Sequence, residues 1–421
     1  MLAWQASLSS GVMGYRVYRS LEAGTPEQVA DESNRQTVLI TETTLPQSGL
    51  SAGTTYHYVV VAVDGRGNEG RSEVASIATL PAGDPGDPGD PGDPGDPGDP
   101  GDPGDPGDPG DPGDSSFTRL TWSSAASAPG RRSEAQGSVV DGKLYVFGGY
   151  SSFTPVTVLS NVDVYDPAAN TWTQLDPMPT PLTHMGAAVD GRDIYLASGY
   201  VGLEGGGQTF ATTEVWKFNV DSQVWTEMPP LPEARGSGGL AVLDRDMHFF
   251  GGSDARRRDT SDHWVLDLDN QAAGWRNTGS PLVPARNHLS ALTLDGKIYA
   301  IGGQQGQDER STTLSLVSRW DPQTSEWSEV ASLSNPLSHI SAAAFVMDGR
   351  IIVAGGEIRH NVPVAEVWAY DPSEDAWTAL TDLPVKRRSG VAEAIGNEII
   401  FTTGGAPGFS DATYRGVPAA P

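Results

Sequence analysis

The chain contains no cysteine. That excludes a disulfide framework and any thiolate metal site, although it leaves the compartment open. Basic residues are scarce: 27 Lys and Arg stand against 54 Asp and Glu, for a net charge of −27. Such a balance argues against non-specific binding to nucleic acid or to an anionic membrane surface. No apolar run approaches the roughly 20 residues that span a bilayer, so membrane insertion is not expected. Met1 is followed by Leu-Ala-Trp, without the basic and apolar regions of a secretory signal peptide. The seven histidines include neither an HExxH pattern nor a close pair at metal-ligand spacing. Neither a metal nor another cofactor is therefore expected.

What is present divides into three stretches. Residues 1–82 carry 8 acids and 5 bases, the 11 aspartates of 83–114 stand alone, and residues 115–421 carry 35 acids and 22 bases. The middle stretch is ten uninterrupted Gly-Asp-Pro triplets closed by Gly113–Asp114. It has no side chains with which to build a core and cannot offset its ordering entropy. Proline at every third position favours extended polyproline II, and the evenly spaced aspartates repel one another. A disordered or extended acidic linker is expected. The Gly-X-Y period also suits a collagen triple helix, but three chains in register would crowd carboxylates with no base to pair them.

Residues 115–421 repeat. A short apolar strand runs into a glycine pair, and a tryptophan follows about half a unit later. The pairs are Gly148–Gly149, the degenerate Ser198–Gly199, Gly251–Gly252, Gly302–Gly303, Gly355–Gly356 and Gly404–Gly405, with first members 50, 53, 51, 53 and 49 residues apart. In the fourth repeat Arg286–Leu294 reads as an inner strand, Asp295–Gly296–Lys297 as a turn and Ile298–Ile301 as a second strand. Leu316–Trp320 reads as a third strand, and Trp327 lies on a fourth. The glycines suit a crowded axis where a Cβ would collide or force an unfavourable φ. The tryptophans are expected between neighbouring sheets. After the last pair only one strand remains, near Ala412–Arg415, and no tryptophan follows it. Arg119-Leu120-Thr121-Trp122 supplies the missing fourth strand, which would leave no open edge. The variable loops would then lie opposite the entry and exit of the chain.

A period near 50 with strands in each unit resembles the kelch repeat, and over residues 117–416 it implies a six-bladed β-propeller. Residues 1–82 resemble a fibronectin type III domain through Trp4, Tyr15 and Tyr18 in GYRVYRS, and Leu50 six residues before Tyr56. In that family the last pair marks the tyrosine corner. The family's first strand should precede Trp4, so this β-sandwich reads as truncated. The expected fold is all-β: a fibronectin type III-like domain at 1–82, a linker at 83–114 and the propeller at 115–421.

Counting back one fixed interval from the first glycine of each pair gives Arg132, Leu182, Arg235, Arg286, His339 and Arg388. Five of six are cationic or can become so, at the expected mouth of the central channel. Arg257 and Arg359 join them from the loops. Converging guanidinium groups would bind carboxylates, so Arg132, Arg235, Arg257, Arg286, His339, Arg359 and Arg388 form a candidate anion receptor. A repeated residue at a repeated position also reads as part of the repeat itself, paired between blades. His184 and His288, which share an offset slightly nearer their glycines, read as inner-strand packing residues.

The kelch resemblance implies binding, to protein or glycan. Galactose-oxidase-like kelch enzymes need a tyrosine cross-linked to cysteine, which this chain cannot form, and the Ser-x-Asp-x-Gly-x-x-Trp boxes of sialidases are absent. An alternative is a sialic-acid mutarotase-like or other carbohydrate-active kelch enzyme; in the mutarotase reading His339 or Glu134 would act as acid–base group. The favoured reading is a monomeric, non-catalytic recognition module, extracellular or at the cell surface, held on an acidic stalk.

Overall fold

The computed structural model describes residues 2–3, 12–21, 25, 44–45, 54–64, 69–72, 74–78, 117–405 and 408–419. The chain forms two compact units, Met1–Pro106 and Gly107–Pro421. Trp4, Leu50 and the Gly-Asp-Pro repeat lie outside the described residues, and with them the tyrosine-corner and linker expectations.

In the first unit Val12–Ser20 pairs antiparallel with Thr55–Asp64, which also pairs with Glu69–Arg71 and Ala75–Ala78. Alternation along these strands sends Val17, Tyr56 and Tyr58 to one face and Tyr18, Val59, Val61 and Val63 to the other. Both faces are buried, unlike the one-sided burial that simple alternation suggests. Leu2–Ala3 pairs with Thr44–Leu45.

The second unit contains six four-stranded antiparallel sheets, here called blades 1 to 6. Their first, inner strands are Gln136–Val140, Gly186–Asp190, Gly239–Leu243, Ser290–Leu294, Ala344–Met347 and Val391–Ile395. Each inner strand lies against the next, and the sixth lies against the first. The second strands are apolar on both faces because each sheet is covered by two neighbours; in Arg350–Ala354 of blade 5 every residue is buried. Blades 1, 4 and 5 turn between these strands on Asp141–Gly142, Asp295–Gly296 and Asp348–Gly349, with both φ angles positive, as a two-residue hairpin turn requires.

Blade 6 takes its fourth strand from Leu120–Ala125, paired with Thr413–Pro418 so that Trp122 stands opposite Gly416 and Ser124 opposite Tyr414. The tryptophans reach across to the preceding blade. The indoles of Trp172, Trp275 and Trp377 each donate a 2.8 Å hydrogen bond to a carbonyl just beyond its fourth strand, on Ala126, Pro229 and Ala331. Trp225 and Trp327 meet Phe147 and Phe250 edge-on, at 5.9 and 5.0 Å. Half-burying such a ring contributes on the order of 1–2 kcal/mol.

The glycine pairs have a backbone reason. The second residue of each donates its N–H to a carbonyl of the next blade: Gly149 to Leu182, Gly199 to Arg235, Gly252 to Arg286, Gly303 to Leu337, Gly356 to Arg387 and Gly404 to Arg132. The last of these links blade 6 to blade 1. A Cβ on Gly148 would sit 2.1 Å from the Leu182 carbonyl oxygen, closer than any atom pair tolerates. The series corrects two readings. In blade 6 the left-handed pair is Thr403–Gly404 (φ 61° and 84°), not Gly404–Gly405. In blade 4 the inner strand begins at Ser290, because the chain turns through the left-handed region at His288 (φ 51°).

Candidate functional site

Just before each inner strand, one residue per blade adopts a left-handed backbone: Glu134, His184, Ser237, His288, His339 and Ser389, with φ between 51° and 58°. None is glycine, so each costs on the order of 1 kcal/mol of strain. Hydrogen bonds between successive blades hold the turn: Ser237 N–H to the His184 carbonyl (2.8 Å), His288 to Ser237 (2.9 Å), Ser389 to His339 (2.8 Å) and Glu134 to Ser389 (3.3 Å). The six positions form a ring at the loop-face mouth of the channel.

The side chains of Glu134, His184, His288 and His339, with loop residues, line a cup of about 230 Å³, while the Ser237 and Ser389 hydroxyls donate to Tyr200 and Glu134 of its wall. His184 stacks on Tyr200 (4.3 Å between centroids) and meets His288 edge-on (4.9 Å), and His288 lies 4.3 Å from His339. The Glu134 carboxylate is 3.7 Å from Nε2 of both His184 and His339 and accepts a hydrogen bond from the Ser389 hydroxyl. Behind the ring, fully buried Glu357 accepts from Arg388 Nη1 (2.7 Å) and lies 3.0 Å from His339 Nδ1. Arg257 reaches in from a blade 3 loop, bound by both terminal nitrogens to Asp308 (2.8 and 3.0 Å) and lying over Phe210.

Position decides charge within the ring. Burial lowers the pKa of His184 and His288 well below the ordinary value, and charged neighbours reinforce it, so both are neutral imidazoles. Burial also opposes the charged form of His339, but the carboxylates of Glu134 and Glu357 outweigh it and raise its pKa. Burial would raise Glu357, yet His339 and Arg388 hold it down at about 2. Among the described residues, no group of three or more His, Asp or Glu side chains has the geometry to hold a metal ion.

Of the seven candidate residues, the cup gathers three: His339 and Arg388 from the repeated spacing and Arg257 from the loops. Arg132, Arg235 and Arg286 stand two residues before the ring and are at most 2% exposed. Arg132 pairs with buried Asp163. Arg235 pairs with Asp262 (2.5 Å) and Glu233 (2.9 Å) and lies 4.6 Å over the Trp264 ring. Arg286 has no ion-pair partner among the described residues; it donates to the Ala300 carbonyl (3.1 Å) and the Ser318 hydroxyl (3.0 Å), and burial lowers its pKa to about 10. Arg359 is exposed on a blade 5 loop and does not line the cup.

Counting from the glycines mixed these two rows. A turn at 341–343 adds two residues to blade 5, so His339 falls on the ring, and the pair shift in blade 6 selected Arg388 where Arg387 is equivalent to Arg132. The signal that aligns them is local: Arg-Ser-Glu, Leu-Thr-His, Arg-Gly-Ser, Arg-Asn-His, Leu-Ser-His and Arg-Arg-Ser end on the six ring residues. Tyr150 and Tyr200, which follow the glycine pairs of blades 1 and 2, carry no such mark and emerge only from the packing.

Comparison with known proteins agrees with this architecture. Residues 205–405 match the model of the KLHDC2/KLHL20/DRC7 kelch-repeats domain, and residues 131–179 match the kelch motif. The second unit carries kelch repeats. Residues 1–78 match the fibronectin type III domain. A kelch repeat-containing protein of Arabidopsis thaliana is 26% identical over 309 residues, covering 68% of this chain and 71% of its own length. A kelch-like protein of Aspergillus terreus is 28% identical, covering 56% of this chain and 52% of its own length. Kelch-like protein 35 of Mus musculus is 26% identical, covering 60% and 39%. The chain thus spans less than two thirds of the latter two relatives. Kelch-repeat relatives are protein-interaction modules. They are also typically intracellular, and this corrects the extracellular or cell-surface location expected from the modular architecture.

Proposed function

We propose that the kelch-repeat unit is a non-catalytic recognition module whose protein partner docks in the cup at the loop-face mouth of the channel. The observation that carries this reading is the ring itself. Six equivalent backbone positions hold Glu, His, Ser, His, His and Ser, and four of them present a carboxylate and three imidazoles to the cup, so a uniform scaffold displays groups that differ in charge. A protein ligand is favoured over a glycan by the interaction role of kelch relatives. Most cup cations already have carboxylate partners, so an anionic group would be met by the outward N–H groups of Arg257 and Arg388 rather than by a shell of free guanidiniums. A partner recovered on the immobilised chain should be lost when Arg257→Glu and His339→Gln are combined. It should be retained by Arg359→Glu, which is exposed and outside the cup. Equal loss or equal retention in the two variants would overturn the reading.

One observation favours a second reading. His339 with a raised pKa stands 4.3 Å from His288 with a lowered one, and groups whose environments push their pKa values apart suit acid–base chemistry. A mutarotase acting on an acidic sugar would need little more. Faster anomer exchange of sialic acid, followed by NMR and abolished by His339→Gln, would establish it; unchanged exchange would eliminate it.

A further inference from the structure

Beside the cup lies a larger cleft of about 660 Å³, formed by loops of blades 5, 6 and 1. It shares Ser133, Phe153 and Arg388 with the cup. Its apolar wall is Phe153, at the end of the strand Tyr150–Phe153, packed edge-on against Phe409 with ring centroids 4.7 Å apart. Pro363 adds to that wall. Phe153 is 54% exposed, an unusual cost for a phenylalanine on a soluble surface. The other wall carries Lys386 and Arg388. Among the described residues no carboxylate lines the cleft, although the 115–421 region holds 35 acids against 22 bases. The exposed Lys386 side chain has no ion-pair partner among the described residues, and Arg388 engages Glu357 through Nη1 alone.

We infer that this cleft takes an extended segment of a partner protein in which an apolar side chain, aromatic or aliphatic, stands within a few residues of a carboxylate. The inference rests on the reading that the loop face binds protein, and it specifies the partner. The apolar group would cover the Phe153–Phe409 pair, where aromatic packing contributes beyond area alone. The carboxylate would meet Lys386 and the outward nitrogen of Arg388 in a partly desolvated site. The acidic surface elsewhere on the unit repels such a segment, so its carboxylate also fixes where it can settle.

The test pans a phage-displayed random 12-mer library against the whole chain and measures each enriched peptide by fluorescence polarisation on four proteins: the unaltered chain, Lys386→Glu, Phe153→Ala and Arg257→Ala. Arg257 lines the cup and not the cleft. The expected consensus joins Asp or Glu to Leu, Ile, Phe or Trp, with binding at least tenfold weaker to Lys386→Glu and to Phe153→Ala at unchanged melting temperature. Should Phe153→Ala lose its fold, Lys386→Glu decides alone, since that side chain is exposed. Peptides without an acid or without an apolar residue would overturn the inference, as would failure to enrich any. Loss on Arg257→Ala alone would overturn it while leaving the cup reading intact. Concentration-dependent self-association abolished by Phe153→Ala would mean that a second copy of this chain fills the cleft, which also overturns it.

Discussion

Two rows of residues run round the loop face of the kelch-repeat unit, two positions apart in sequence, and they have opposite characters. The outer row, Arg132, Leu182, Arg235, Arg286, Leu337 and Arg387, holds only Arg and Leu, and all but the half-buried Arg387 are buried. The carbonyls of this row accept the hydrogen bonds that join one blade to the next. The inner row, Glu134, His184, Ser237, His288, His339 and Ser389, shares a backbone conformation but little chemistry, and its Glu134, His184, His288 and His339 line the cup. Uniform residues at equivalent positions build the repeat; diverse ones at equally equivalent positions are free to address something outside it.

The sharpest way to break this contrast is Arg132→Ala. It strands Asp163, whose side chain is fully buried, without its cation. Removing one partner of a buried pair costs about 3–5 kcal/mol, read as a lower midpoint in urea unfolding. Arg132→Met with Asp163→Leu should recover most of that loss, because both charges leave together.

Acid should come next. His248 and His263, hydrogen-bonded ring to ring at 2.9 Å against Trp320, are held by burial at about 3 and about 4, and His184 and His288 are lowered as well. A depressed histidine is neutral in the fold while the unfolded chain takes up a proton below about 6.5. Stability is therefore intact above that pH and falls as pH drops through the window between 6.5 and about 3. His339 runs the other way: its contribution is complete below about 6.5 and is lost as pH rises through its raised folded value. Replacing His248 and His263 together with Leu and Phe should flatten the acid limb of a stability–pH curve.

A smaller effect belongs to Glu393, part-buried in the channel on the inner strand of blade 6 and raised by burial to about 8. Its neutral form is favoured in the fold, so stability declines as pH rises from about 4.5 towards 8. Glu393→Gln should remove that slope, worth on the order of 1 kcal/mol at pH 8 in a channel that admits water. The smallest change is expected for His288→Asn. Asparagine tolerates the left-handed backbone, so unfolding free energy should move by under about 1 kcal/mol. Partner binding through the cup should nevertheless weaken. Comparable losses for His288→Asn and Arg132→Ala would erase the distinction between the rows.

Much of this was legible in the residues. The spacing of Gly148, Gly251, Gly302 and Gly355 and the stray Trp122 locate the sheets and the origin of the last fourth strand, because hairpin turns and crowded backbones accept few residue types. The site was half legible. Arg257, His339 and Arg388 were marked by charge and position, but Arg132, Arg235 and Arg286 were marked by the same count. Nothing in a repeat distinguishes an arginine that faces a channel from one that faces a neighbouring sheet. A two-residue insertion in blade 5 was enough to merge the rows.

The amino-acid sequence by itself determined the repeat, its strand order and the excess of acid, since these follow from local conformational preference and composition. Only the tertiary structure decided which cations are neutralised, which imidazoles are charged and which residues meet in one cup. Those properties depend on partners far apart in the chain, often on different repeats, brought into contact by the packing of one blade on the next.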